Sequence, residues 1–281
     1  MKMGKELGQI FKYFAQYDYA PSLSQIHTFY PTKTSKHSLI TFLEELVSKN
    51  ILIKASVAGE IVYAPKIKAK TIQIRQKRTV LSIEKYSRAQ KVAQILGKIP
   101  QVQLVGLSGS VAVANAKKSD DIDFFIITKA GNLWSGRILI LIFLQILGVR
   151  RRFGEKNVAN KICCNLLFDG RDLAIPEEKR TIYTAHELLQ MVPLVSKRGV
   201  YQKLIKQNEW VFTFFPNAQL ILKRELSNLS KNELKWIHFF SLFEKLFRII
   251  QLTLINRHKT KEYITETQLW FFKETILRKK S

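Results

Sequence analysis

Cysteine is nearly absent. The chain has two, Cys163 and Cys164, side by side in an apolar, strand-like run. Adjacent cysteines there are poorly placed for a structural disulfide, so a reducing compartment suits the chain. No Cys or His set has zinc spacing, and His186-Glu187 lacks the second histidine of a zincin helix, which excludes a structural zinc. Glycine and proline are also scarce, 12 and 7 in 281 residues, leaving little room for long disordered tracts. Membrane-length apolar runs are missing. Ile138 to Val149 covers about a dozen residues against the ~20 that a bilayer requires. Trp236 to Ile255 is interrupted by Glu244, Lys245 and Arg248, and so reads as an amphipathic helix. Met1 to Phe14 has no signal-peptide core, so the expected location is the cytoplasm. Acids are outnumbered as well, 22 against 46 Lys+Arg, for a formal charge of +24. Such a balance gathers polyanions: nucleic acid, nucleotides or anionic lipid.

What is present is enough for two or three packed units, since the chain exceeds the usual single-domain size. Leu7, Ile10, Phe11 and Phe14 share one helical face; Ser22 to Phe29 and Ser35 to Lys49 suggest two more helices. Two β-rich runs, Ile51 to Val57 and Ile61 to Ala64, join through Ala58-Gly59-Glu60. Three helices and a hairpin over residues 1–65 resemble a winged helix. Residues 66–82 alternate basic and apolar side chains and are expected to form a basic linker or strand, with a helix from Ile83 to Leu96. An α/β (α+β) core of strands and helices follows over 83–175. Beyond it, helical periodicity dominates 176–281, predicting a helical C-terminal region that ends in the basic tail Arg278-Lys279-Lys280.

The chemistry concentrates in the core. Val102 to Leu107 is a short apolar strand leading to Ser108-Gly109-Ser110. Glycine there lets a ligand approach the backbone, whose N–H groups, with the serine hydroxyls, favour phosphate. Ten residues on, Asp121 and Asp123 flank Ile122 at the start of a β run. Strand alternation sends both carboxylates to the same face, with Asp120 facing away. Such a pair suits Mg²⁺, a hard cation that also binds phosphate oxygens. Arg137 and Lys161 are available to neutralise phosphate, and His186 reads as a helix-surface histidine.

Val105-Gly106-Leu107-Ser108-Gly109-Ser110, followed by Ser119-Asp120-Asp121-Ile122-Asp123-Phe124-Phe125-Ile126-Ile127, resembles the DNA polymerase beta-like nucleotidyltransferases, of the minimal type. The resemblance covers about residues 84–170. It implies Asp121 and Asp123 as catalytic metal ligands, and Gly109 and Ser110, with Ser108, as triphosphate contacts. It also implies a third carboxylate on the next strand, where Ile162-Cys163-Cys164-Asn165-Leu166-Leu167-Phe168 offers Asn165 instead. Asp169, at that strand's end, is the nearest acid. Asn165 can ligate a metal through its amide oxygen but cannot serve as a base.

Two functions are therefore expected. One is a Mg²⁺-dependent transfer of a nucleoside monophosphate from an NTP, ATP being the expected donor, to a hydroxyl of nucleic acid, protein or a small molecule. The other is a non-catalytic winged-helix regulator that binds nucleic acid and keeps a degenerate nucleotidyltransferase domain. Neither nucleotide preference nor oligomeric state is legible.

Overall fold

The computed structural model describes residues 2–223, 235–257 and 262–271. The chain starts with three helices, α1 (Lys2–Ala15), α2 (Leu23–Thr28) and α3 (Lys36–Ser48), and a hairpin of β1 (Leu52–Val57) and β2 (Glu60–Pro65). Local chemistry sets each boundary. Ser22 and Gln25 form a capping box at α2, and the Ser35 hydroxyl accepts the Ser38 N–H at 3.0 Å at α3. The hairpin turns through Ala58 and Gly59, both at positive φ, the geometry a two-residue antiparallel connection requires. Leu7, Ile10, Phe11 and Phe14 are all buried, as their spacing predicts.

The basic stretch expected as a linker or strand is helical instead. After a 3-10 turn at Lys66–Lys68, α4 runs from Lys70 to Leu96, starting well before Ile83. The cause is tertiary. Arg75, Arg78 and Lys85 turn inward and bond to Ala20, Tyr17 and Asp120 carbonyl oxygens, so charges that blur the apolar period in sequence are satisfied within the fold.

A mixed six-stranded sheet forms the centre: β3 (Val102–Ser108), β4 (Ile122–Thr128), β5 (Ile162–Asp169), β6 (Val192–Ser196), β7 (Tyr263–Ile264) and β8 (Gln268–Trp270), in the order β6-β3-β4-β5-β8-β7. Strands β4 and β5 are parallel, joined across α6 (Leu133–Ile146); the other neighbours are antiparallel. Helix α5 (Gly109–Ala112) follows β3, and α7 (Ile182–Gln190), α8 (Val200–Gln207), α9 (Val211–Phe214) and α10 (Glu244–Asn256) complete the chain. Alternation on β4 splits the core. Phe124 and Ile126 pack with α4 and α6, while Phe125 and Ile127 join α1, α7 and α8 on the opposite face.

The region past residue 176 is not purely helical, because β6 pairs with β3 and β8 pairs with β5. These strands are five residues or shorter, too short for a period-2 signal to stand out. The helical region expected over 176–281 falls partly, and its tail Arg278 to Lys280 wholly, outside the described residues. No helix among the described residues is long and apolar enough to cross a membrane.

Candidate functional site

Ser108 ends β3 and pairs in register with Asp123 on β4, which sets the glycine turn beside the acids. Gly109 takes φ +64, a left-handed conformation that side chains resist. A Cβ added there would meet Asp123 Oδ2 at 2.5 Å. Turn and carboxylate are therefore in contact, and only glycine fits between them. Asp121 and Asp123 converge as their spacing predicts: their ligand atoms and the Cys163 sulfur all lie within 4.8 Å of one another. Cys163 is there because β5 runs parallel to β4, with Cys163 opposite Asp123.

Asn165 also reaches this point. A bulge between Phe124 and Phe125 leaves it without a Cα partner on β4, and its side-chain amide donates to Asp123 Oδ1. Its carbonyl oxygen accepts from the Cys163 thiol at 3.0 Å. Asp169 does not reach the site. It pairs with Thr128 at the far end of the same strands, six residues past Cys163, or ~20 Å of strand. Buried there, it is held by Gly131 and Arg171.

Asp120 lies outside the cluster of Asp121, Asp123 and Cys163 and turns to the loop instead. Its Oδ2 accepts from Ser110 Oγ at 3.0 Å and from the Lys117 N–H at 2.9 Å, bracing the loop between α5 and β4. Ser108 Oγ donates to the Asp123 carbonyl at 3.4 Å. Arg137 is remote, bonded to Gln251 and packed over Phe271. Lys161 turns back to the Gly148 carbonyl. His186 is buried rather than on a surface, stacked on Tyr13 at 3.7 Å between centroids, and burial pushes its pKa down to about 3. Its role is core packing.

Two residues went unrecognised from the chain. Arg151, in the basic run Arg150-Arg151-Arg152, pairs with Asp121. Glu187 is the other. The last turn of α7 lies across β3, where Met191 packs against Gly106, and one turn back the Glu187 carboxylate meets the Gly109 N–H. Glu187 is exposed at its surface, yet protein packs round its carboxyl and dehydrates it. That dehydration raises its carboxyl pKa, with the Gly109 N–H opposing. Asp123 is raised as well, to about 8, first by burial, then by the charges of Asp121 and Glu187, against Arg151 and the Asn165 amide.

A carboxylate held this way lacks positive charge. Three acids crowd a glycine turn with one guanidinium between them, and a divalent cation would relieve that repulsion. The clustered donors are two carboxylates, which suit a hard cation, and a thiol, a softer donor that Mg²⁺ leaves unused; the Asn165 amide turns its nitrogen to Asp123 and its oxygen to the thiol. No protein-family model, curated protein or solved structure matches the chain.

Proposed function

We propose that the chain is a divalent-cation-dependent nucleotidyltransferase that moves a nucleoside monophosphate from an NTP to a hydroxyl acceptor. One observation carries this reading: Asp121 and Asp123 converge directly against the left-handed Gly109 turn. Capping alone would require neither the convergence nor the contact. The likeness to DNA polymerase beta-like nucleotidyltransferases and the winged-helix order of residues 1–65 agree with it, and a cytoplasmic location belongs to the same proposal.

Asp121, Asp123 and the Asn165 amide oxygen would hold the cation, with Mg²⁺ the expected ion and ATP the expected donor. The ion's contribution is to offset charge on the phosphates and acidify the attacking hydroxyl. Ser108, Gly109 and Ser110 seat the triphosphate through backbone N–H groups and hydroxyls. Arg151, 40% exposed, can leave Asp121 for a phosphate oxygen once that carboxylate has another partner.

Asn165 cannot take up a proton, and Glu187 takes that role in this reading. A triphosphate seated on the turn would claim the Gly109 N–H and leave the Glu187 carboxylate turned to the cleft. The acceptor O–H then gives its proton to Glu187, its oxygen bonds to the α-phosphorus, and the bond to the bridging oxygen breaks as pyrophosphate departs.

The test is label transfer from α-phosphate-labelled ATP to RNA, DNA ends or total protein, with and without divalent cation. Cation-dependent labelling is expected. Asp121→Asn with Asp123→Asn should lower it by about three orders of magnitude, several kcal/mol of lost stabilisation. Equal labelling by that variant contradicts the proposal. Cation-dependent nucleotide binding with no transfer to any acceptor would instead favour the regulator that Asn165 suggests.

A further inference from the structure

The cations of α4 sort into two sets. Arg75, Arg78 and Lys85 face the protein and bond to Ala20, Gln25, Glu60, Tyr17, Asp18, Asn115, Lys118, Asp120 and Asn160. Lys70, Lys77, Arg88 and Lys91 face outward and are exposed. At 100° per residue these four fall within an arc of about 60°, so they make one stripe, spanning ~30 Å of helix. None forms an ion pair with another described residue. Glu84 shares the stripe and is the only acid in the helix.

The helix that carries the stripe also holds the loop before the acids on its inner side. Lys85 bonds to the carbonyl oxygens of Lys118 and Asp120, and Ser82 accepts the Ala116 N–H, so the loop before β4 lies along the middle of α4. Lys117 and Lys118, four and three residues before Asp121, are both exposed on that loop. Four cations in a narrow line match one phosphate backbone better than they match the two backbones that border a duplex groove; beside them Val80, Ile83 and Tyr86 are exposed, three side chains where a membrane surface needs a continuous apolar face.

We propose that the outer stripe of α4, continued by Lys117 and Lys118, is the docking track for a single-stranded nucleic acid. Its direction, resting on the function proposed above, makes a strand-terminal hydroxyl the acceptor. Binding through the backbone makes the track tolerant of sequence.

The probe is a fluorescent oligouridylate titrated with the full chain at several salt concentrations, with oligothymidylate, a duplex and anionic vesicles as further arms. Lys77→Glu, Arg88→Glu and Lys91→Glu together should weaken binding of the single strands at least tenfold. Losing three phosphate contacts should also flatten the salt dependence by about 2 in log–log slope. The control is an equal charge change elsewhere, Lys12→Glu, Lys203→Glu and Lys206→Glu, all exposed, and it should lose far less. Equal losses in both variants would reduce the effect to net charge and overturn the track, as would tighter binding to duplex or vesicles than to single strands. Asp121→Asn with Asp123→Asn should bind the strand as the wild type does. Failure of transfer chemistry then leaves the track standing, and transfer to a small acceptor without strand binding removes the track alone.

Discussion

Asp123 and Asp169 stand at opposite ends of one pair of parallel strands, in opposite surroundings. Asp169 is fully buried, and its two oxygens accept from the Gly131 N–H and from three N–H groups of Arg171, all at 2.9–3.0 Å. Asp123 receives one amide from Asn165 and faces the charges of Asp121 and Glu187. A carboxylate ringed by donors is finished as structure. One ringed by other carboxylates is costly to hold, and the fold keeps it beside a backbone turn that only glycine can make. In the proposed reading Asp169 serves stability and Asp123 the chemistry.

The largest effect is expected at Glu187, which helps make Asp123's surroundings negative. Glu187→Gln should lower the transfer rate by about 10²–10⁴, the usual contribution of a positioned proton acceptor, with nucleotide binding retained. Single-turnover rates together with nucleotide affinity measure it; an unchanged rate would remove Glu187 from the chemistry. At the other end, Asp169→Asn should leave the rate per folded molecule unchanged and cost about 2–3 kcal/mol of stability through weakened charge-assisted bonds. Thermal melting should show this as a drop of roughly 4–12 °C. Activity lost at Asp169 without loss of stability would reverse the assignment.

The chain displays part of this arrangement openly. Strands β3 and β4 are legible because their apolar runs are bounded by a glycine turn and an acidic pair, and period-2 alternation alone places Asp121 and Asp123 together. Asp169 misled because nearness along the chain stood in for nearness in space: a strand carries its two ends apart by its own length. Glu187 and Arg151 were hidden for the converse reason. One lies on a helix read for its apolar face, the other in a basic loop, and only strand pairing brings α7 and the Arg151 loop to the turn. The start of α4 was obscured because three of its cations are core residues by bonding, though surface residues by type.

The most direct test of Asp123 uses the smallest expected effect, read by thermal melting of the wild type and Asp123→Asn across pH, with and without Mg²⁺ or Mn²⁺. Because folding raises the Asp123 pKa, its neutral form favours the fold: that contribution is full below pH ~4 and lost as pH rises through about 8. Without cation, the variant should therefore match the wild type at pH 4 and exceed it at pH 8 by on the order of 1 kcal/mol, about 2–4 °C. Cation at a hundredfold over its Kd should raise the wild type by ~2.7 kcal/mol and leave the variant unmoved. A variant no more stable than the wild type at pH 8, or one that the cation stabilises equally, would contradict the account.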